Sequence, residues 1–492
     1  MKARSISVGL VALGCAKNTV DLQVMAGHLL KAGCVLAPQP DDADVILVNT
    51  CAFIEAAREE AVAEILRACE LKRAGRCRAV VVSGCFAQRY GDRLTEAFPD
   101  VDAFLGIDAL DKIARIVHRA LENSADGKVV KVSKVFKDGK VVKVSKVFKD
   151  GKVGKVVKDG KDVNDVKGLK DLRRRIAVNV PPGMPKKLFA PPVPALRLTG
   201  SAFAYLKIAE GCAHRCAYCA IPAIRGQYRS RPLRSIVAEA RALLATGVKE
   251  LNVIAQDPLL YGVDFKNGTD IVKLLRALDR LKGDFWLRVL YAYPSEISDG
   301  FIDWMNSSPH AVKYIDVPIQ HTDPQILKAM ARGSAVAATL SAAERLRAAV
   351  PGVTLRTTVL TGFPGETDAA FAKLLMDVKR MKFDHLGAFA FSPEEGTAAA
   401  EMDGCPSPTV AAKRARTVMS AQRKVWAEKA KGYVGKTFRA LVVAPGVARL
   451  ESQAPDVDGV VRLKGKAAVG SFVDVQIVKV DGFDFTATVH SK

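Results

Sequence analysis

The sequence predicts an α/β protein in three folded parts: an N-terminal open parallel α/β sheet, a central partial (β/α) barrel of the TIM-like kind, and a small C-terminal all-β barrel. Three observations predict it. Residues 5–120 alternate short Val/Leu-rich runs with amphipathic segments, and residues 199–430 repeat that alternation at greater length. From Gly435 the pattern changes to short Val-rich runs punctuated by Gly and Asp. The expected boundaries are 1–125, 126–198, 199–430 and 431–492, which suits a chain of 492 residues at about 150 residues per domain.

In the first part, Ile6–Leu13, Val45–Val48 and Ala79–Val82 are unbroken apolar runs bounded by Gly, Asn or Ser. Such runs fit strands buried on both faces of a parallel sheet. Amphipathic stretches near Leu22–Ala32, Ile54–Leu71 and Asp111–Leu121 would be its crossovers. The central part offers strands at Ala204–Ile208, Glu250–Ile254, Trp286–Leu290, Tyr314–Val317, Thr354–Leu360 and His385–Phe391. Helical patterns at Ile236–Thr246, Ile271–Leu281, Ala337–Ala349 and Ala369–Met381 separate most of them, and repeated βα units argue for a barrel or part of one. In the tail, Phe438–Val443, Asp458–Leu463 and Phe472–Val480 read as strands of a small barrel.

Residues 126–198 differ in kind. Gly127–Asp138 reads GKVVKVSKVFKD, Gly139–Asp150 repeats it unchanged, and Gly151–Asp159 is a decayed copy. Lysine recurs at every third position from Lys128 to Lys161, a period of neither helix nor strand. Asp138-Gly139, Asp150-Gly151 and Asp159-Gly160 would turn a basic β-meander. The composition favours instead a mobile low-complexity expansion with too few large apolar residues to order it. The Pro-rich run Val180–Pro194 reads as a stiff linker.

The formal charge of +22 suggests an anionic partner such as RNA or the ribosome. Residues 127–170 hold fourteen Lys against five Asp, however, so much of that basicity is local. The chain shows neither a run of about 18 apolar residues for a membrane span nor the start of a signal peptide. Ten cysteines in this length are too sparse for a disulfide scaffold. A reducing cytoplasm and metal ligation are expected.

Three of those cysteines, Cys212, Cys216 and Cys219, lie in eight residues with the spacing C-x3-C-x2-C. Thiolates are the usual ligands of iron–sulfur clusters, which normally need four. Three leave one iron of a cubane open to chelate a substrate or cosubstrate. A zinc site or buried thiols are the alternatives, although zinc sites usually add a distant second pair. Cys15, Cys51 and Cys85 form a second set. Each follows the end of an expected strand, in Leu13-Gly14-Cys15, Asn49-Thr50-Cys51 and Ser83-Gly84-Cys85. In open parallel sheets those ends share one edge, where ligands bind, and Gly14 and Gly84 would admit a bulky group. Ordinary buried cysteines are the alternative. Cys34, Cys69, Cys77 and Cys405 lack this context and read as core or surface thiols.

With these residues in view, the chain resembles the methylthiotransferases of the radical S-adenosylmethionine superfamily. The resemblance rests on the Cys212 triplet followed by Ile221-Pro222-Ala223-Ile224-Arg225-Gly226 and Arg229-Ser230-Arg231-Pro232. It rests also on the strings around Cys15, Cys51 and Cys85, on Thr361-Gly362-Phe363-Pro364-Gly365-Glu366-Thr367, and on a tail similar to an OB-like TRAM domain. It covers the chain except roughly Gly127–Lys187. Leu13-Gly14-Cys15-Ala16-Lys17-Asn18-Thr19-Val20-Asp21, Ala255-Gln256-Asp257, Pro318-Ile319-Gln320-His321 and Ser392–Thr397 favour the RimO-like branch over the MiaB-like one. The RimO-like branch modifies an aspartate of small-subunit ribosomal protein S-twelve, the MiaB-like one a tRNA adenosine.

The resemblance implies two 4Fe-4S clusters. That on Cys212, Cys216 and Cys219 would chelate S-adenosylmethionine and, once reduced, cleave it to a 5′-deoxyadenosyl radical that takes hydrogen from the aspartate β-carbon. That on Cys15, Cys51 and Cys85 would hold the sulfur, with a second S-adenosylmethionine as methyl donor. It implies also an electron donor such as a flavodoxin or ferredoxin. Tyr218, Gln256, Asp257, Gln320, Gly362, Gly365 and Glu366 are candidate cofactor contacts, because most of them follow barrel strands; His214 is expected to face solvent. TRAM domains generally bind RNA, so a ribosomal RNA contact is expected. Yet Glu451, Asp456, Asp458, Asp474, Asp481 and Asp484 suit a basic protein better than phosphate. Two rivals are tRNA methylthiolation and a non-catalytic, metal-stabilised RNA-binding protein.

Overall fold

The computed structural model describes residues 5–91, 93–125, 134–137, 140–143, 177–180, 183–191 and 196–490. The chain forms two compact units. One comprises residues 1–196 with Ile221–Gln227; the other comprises Arg197–Ala220 with Tyr228–Lys492.

The first unit is built on strands β1 (Ser7–Ala12), β2 (Val35–Leu36), β3 (Val45–Thr50), β4 (Ala79–Gly84) and β5 (Ala103–Leu105). A hairpin, β6 (Lys134–Lys137) and β7 (Lys140–Lys143), and strand β8 (Ala177–Asn179) follow. The sheet order is β2-β1-β3-β4-β5-β8, parallel throughout. Every residue of β3 and β4 is buried, which is why both are apolar almost throughout. Helices Ala16–Lys31, Glu55–Arg73 and Ile113–Ala125 are the crossovers. The first begins six residues earlier than its apolar pattern suggests, because an extended Cys15 starts it directly.

Three expectations for residues 126–198 are corrected. Lys134–Lys137 pairs antiparallel with Lys140–Lys143, as the Asp-Gly pair in the sequence between them permits, so these eight residues follow the hairpin reading rather than the low-complexity one; the rest of 127–170 lies outside the described residues. The sheet does not end near residue 125, since Ala177–Asn179 pairs with β5 as an edge strand. Nor is the Pro-rich run only a linker. The amides of Lys186 and Lys187 donate to the Asp108 carboxylate at 2.7 and 2.9 Å, and Phe189 packs on the core of the unit.

The second unit starts with β9 (Phe203–Lys207), a short ribbon of β10 (Ala209–Glu210) and β11 (Arg229–Ser230), then β12 (Glu250–Ile254) and β13 (Trp286–Val289). Strands β14 (Ala311–Asp316), β15 (Thr354–Thr361) and β16 (His385–Ala390) complete a parallel sheet in the order β16-β15-β14-β13-β12-β9, the part-barrel expected. After helix Pro408–Ala430 come β17 (Thr437–Ala444), β18 (Val447–Leu450), β19 (Val461–Lys464), β20 (Phe472–Asp481) and β21 (Asp484–Val489), which close a barrel ordered β17-β18-β19-β21-β20.

This small barrel docks on the amino-terminal ends of the large barrel's strands. Glu250, the first residue of β12 and fully buried, accepts from Arg288 Nε at 2.7 Å and from Arg449 Nη2. Asp458 accepts from Tyr314 Oη at 2.7 Å and Arg356 Nη1 at 2.5 Å, and Tyr205 Oη donates to Asp456 at 2.6 Å. Asp458, one of the acids expected to meet a basic partner, is therefore spent inside the protein, whereas Asp456 stays exposed while bonded to Tyr205. A third, Asp484, holds Arg462 at 2.9 Å. For Asp458 the physical reason is compensation of buried charge: its desolvated carboxylate sits beside Arg356.

Candidate active site: two cysteine triplets

Because β1, β3 and β4 are neighbours, their carboxyl ends share one edge, and Cys15, Cys51 and Cys85 converge there. Cys15 caps helix Ala16–Lys31, Cys51 follows Thr50 directly, and Cys85 opens helix Cys85–Tyr90. Two glycines make the approach possible. At Gly14 (φ +92°) a Cβ would fall 2.8 Å from the Cys51 Cβ and 3.4 Å from its Sγ. At Gly84 (φ 95°, ψ −157°) the backbone is in a region essentially reserved for glycine, and a Cβ would lie 2.4 Å from the Thr50 carbonyl.

Buried Asn18 ties the strand ends together. Its Nδ2 donates to the Thr50 carbonyl at 2.9 Å, and its own carbonyl accepts from Asn49 Nδ2 at 2.8 Å. Arg225 completes the pocket. Its Nη2 lies 2.6 Å from Asn18 Oδ1, 3.0 Å from Asp21 Oδ2 and 3.3 Å from Cys85 Sγ, with the Arg225 side chain 1% exposed. Arg225 belongs to the segment Ile221–Gln227, which follows the second triplet in sequence but folds with the N-terminal unit.

The three thiols differ in acidity. Burial pushes Cys85 up to about 12 despite Arg225, and burial likewise raises Cys51. Cys15 retains an exposed edge although its sulfur is crowded; crowding raises it, but Lys17, Arg225 and the amides of Asn18 and Lys17 together bring it below the ordinary thiol value. Arg225 favours the thiolate at all three. Three cysteines around a space that glycines keep clear, under one cation, fit thiolate ligands of an iron–sulfur cluster. No three His, Cys, Asp or Glu among the described residues stand at the spacing that shares a single ion. A cubane offers separate irons to separate thiolates, so wider spacing suits it.

The second triplet lies on the loop after β10, all three cysteines half-buried. Backbone bonds from Ala217 N to Met330 O (3.0 Å) and from Ala399 N to Ala217 O (2.8 Å) pin the loop from both sides. His214 does not face solvent as expected: its Nε2 is 2.7 Å from Asp257 Oδ2, and its ring stacks on Tyr293 at 3.8 Å. Burial, more than the charges of Asp257 and Cys216, raises Cys212 to about 11. Arg332, buried and 4.2 Å above the Tyr293 ring, donates to Tyr218 Oη at 3.2 Å and to the Pro318 carbonyl at 2.9 Å. Arg332 and Tyr293 escaped sequence reasoning, since neither stands near a cysteine in sequence. Three thiols on one loop with a buried cation beside them fit a second cluster.

The other expected contacts divide. Asp257 is buried with its carboxylate taken by His214 and by the Leu259 amide at 3.1 Å, so it braces the cysteine loop. Gln256 donates Nε2 to Glu210 at 3.0 Å and leaves its buried Oε1 unpartnered. Gln320 follows β14 with φ 65°, and Tyr291 follows β13 with φ 73°. Two non-glycine residues in left-handed backbone at the carboxyl edge mark stored strain of the kind found where ligands bind. Gly362 (φ +75°) answers packing: a Cβ there would meet the Ala411 Cβ at 2.2 Å. Its amide donates to Glu366, which also lies 3.5 Å from Arg414, and the Gly365 amide donates to the Gly404 carbonyl at 3.0 Å. That loop is held by the protein's own groups. Cys34, Cys69 and Cys77 are buried thiols and Cys405 is exposed.

Residues 7–106 match the Uncharacterized protein family UPF0004, residues 206–378 the Radical SAM superfamily and residues 434–489 the TRAM domain. The "Ribosomal protein uS12 methylthiotransferase RimO" of Opitutus terrae is 36% identical, covering 98% of this chain and 96% of its own length. That of Syntrophus aciditrophicus is 38% identical over 99% of both. Among solved structures, the radical S-adenosylmethionine methyltransferase TsrM from Kitasatospora setae aligns at TM-score 0.49 and 18% identity, covering 78% of this chain and 73% of its own.

Proposed function

The chain belongs to the family of RimO methylthiotransferases, radical S-adenosylmethionine enzymes, and from that premise we propose that it methylthiolates the β-carbon of an aspartate in small-subunit ribosomal protein uS12. In this reaction a C–H hydrogen leaves on 5′-deoxyadenosine, a sulfur takes its place, and a second S-adenosylmethionine supplies the methyl group. The observation that carries the reading is the meeting of Cys15, Cys51 and Cys85 at one sheet edge, in a chain that also has the Cys212, Cys216, Cys219 loop.

The two triplets would hold two 4Fe-4S clusters: one supplies the electron that splits the sulfonium of S-adenosylmethionine, the other a site for the sulfur to be transferred. The protein's own residues do the rest. Asp257, His214 and Tyr293 fix the path of the Cys212 loop, and Arg332 holds Tyr218 against it. Gln256, Gln320 and Tyr291 occupy the carboxyl edge of the large barrel, where S-adenosylmethionine would lie. Gly362, Gly365 and Glu366 shape that edge through the loop they close.

The reading includes a cytoplasmic enzyme, reduction by a flavodoxin- or ferredoxin-type donor, and a contact with ribosomal RNA, which the positive charge that remains outside residues 127–170 supports. No described helix is long and apolar enough to cross a membrane. The test is to incubate reduced enzyme and S-adenosylmethionine with small ribosomal subunits or with bulk tRNA, then find the methylthio group by mass spectrometry. A gain on uS12 is expected. Product on tRNA alone would overturn the substrate, and failure to cleave S-adenosylmethionine would leave a non-catalytic RNA-binding protein.

A further inference from the structure

We infer that Arg225 is a positioning residue of the Cys15, Cys51, Cys85 site: its guanidinium, anchored on Asp21 and Asn18, donates to the Cys85 sulfur and sets the charge, and so the reduction potential, of whatever those thiolates hold. The inference rests on the reading that this triplet carries an iron–sulfur cluster.

The geometry is specific. One terminal nitrogen, Nη2, serves Asn18 Oδ1 at 2.6 Å, Asp21 Oδ2 at 3.0 Å and Cys85 Sγ at 3.3 Å. All four side chains are buried, Arg225 and Asp21 to 1–2% exposure. Burying a guanidinium is costly unless charge and hydrogen bonds compensate it. The Asp21 carboxylate compensates one side, and the sulfur side offers a second place for negative charge. The partners lie 204 and 207 residues away in sequence, at Asp21 and Asn18. A purely structural clasp would need no approach to sulfur.

Reduction potentials of thiolate-held clusters depend on net charge, hydrogen bonds to sulfur and solvent exposure. Arg225 acts on the first two. Its positive charge stabilises the reduced, more negative state, and its N–H draws electron density from Cys85 Sγ. Asp21 acts oppositely, as a fixed negative charge beside the same group. Removing the cation and removing the anion should therefore move the potential in opposite directions. A clasp that only held the fold would be loosened by either change, with no reason for opposite signs.

The experiment is a redox titration of the anaerobically reconstituted full-length protein, followed by electron paramagnetic resonance. The cluster whose signal changes on adding S-adenosylmethionine serves as internal reference. Arg225→Gln is expected to lower the potential of the other cluster by at least tenfold in its reduction equilibrium, about 59 mV for one electron, with the reference unmoved. Asp21→Asn is expected to raise it. Arg225→Lys keeps the charge but not the planar fork, and should fall between Arg225→Gln and the unaltered protein. Unchanged potentials in both Arg225→Gln and Asp21→Asn, or shifts of one sign in both, would overturn the inference. If Arg225→Gln fails to keep its cluster, the Asp21→Asn shift decides: upward supports the inference, none overturns it. An unaltered protein that binds about four irons rather than about eight would instead overturn the two-cluster reading.

Discussion

Glu250→Gln is the sharpest test of how the small barrel is held. Glu250 is fully buried between Arg288 and Arg449, one from the large barrel's sheet and one from β18. Without the carboxylate each guanidinium keeps one neutral acceptor, the Glu451 carbonyl at 2.7 Å for Arg288 and the Gln453 carbonyl at 2.9 Å for Arg449. Neither acceptor cancels charge. Deleting one member of a buried ionic group costs about 3–5 kcal/mol, and that loss is expected at pH 7. Burial alone would raise the Glu250 carboxyl, but Arg449 and Arg288 outweigh it and hold it below the usual range. A depressed folded-state value means stability that is fully present above the unfolded value of about 4.3 and is lost as pH falls through the folded one. The unaltered protein and the Glu250→Gln variant should therefore converge on acidification. All three tryptophans, Trp286, Trp304 and Trp426, lie in this unit, so urea unfolding followed by tryptophan fluorescence reads it directly. A loss under about 1 kcal/mol, or a pH-independent difference, would refute the reasoning. Exchanging all three groups for Leu and Met should recover most of the loss.

Three further outcomes are expected. Gly14→Ala puts a Cβ 2.8 Å from that of Cys51, so iron content should fall by about half while cleavage of S-adenosylmethionine persists; iron and sulfide counting reads the first and chromatography of 5′-deoxyadenosine the second. Gly362→Ala meets Ala411 at 2.2 Å with φ +75° and should cost about 2 kcal/mol or more, seen as a lower melting temperature. His214→Ala strips Asp257 of its 2.7 Å partner and leaves a buried carboxylate at a cost of about 1–3 kcal/mol, with cleavage of S-adenosylmethionine reduced and the cluster at Cys15, Cys51 and Cys85 retained by its spectrum.

Much of the architecture was legible because it rests on local pattern. Runs such as Val45–Val48 and Ala79–Val82 are apolar on both faces, and only a doubly covered strand asks for that. That Cys15, Cys51 and Cys85 come to one sheet edge was legible because each follows the end of an apolar run, two of them behind a glycine. What escaped depends on distant partners. Arg225 was visible only as one letter of a string after Cys219; that it reaches Asp21 needs a chain reversal over 204 residues. Asp458 looked like a surface acid, because nothing near it in sequence announces Tyr314 or Arg356. Ala177–Asn179 is too short to show a period, and its pairing comes from a free sheet edge rather than from its own residues.

The excursion of Ile221–Gln227 also governs how the protein can be divided. A fragment that stops at residue 196 would contain all three N-terminal cysteines and the whole parallel sheet, yet Asp21 and Asn18 would face an empty slot where the guanidinium belongs. Such a piece carries a desolvated carboxylate stripped of that counter-charge, a state folded chains avoid. The N-terminal half is thus borrowed in part from the sequence of its neighbour. Exchange of modules between relatives would have to carry that heptapeptide along, or rebuild its arginine from scratch.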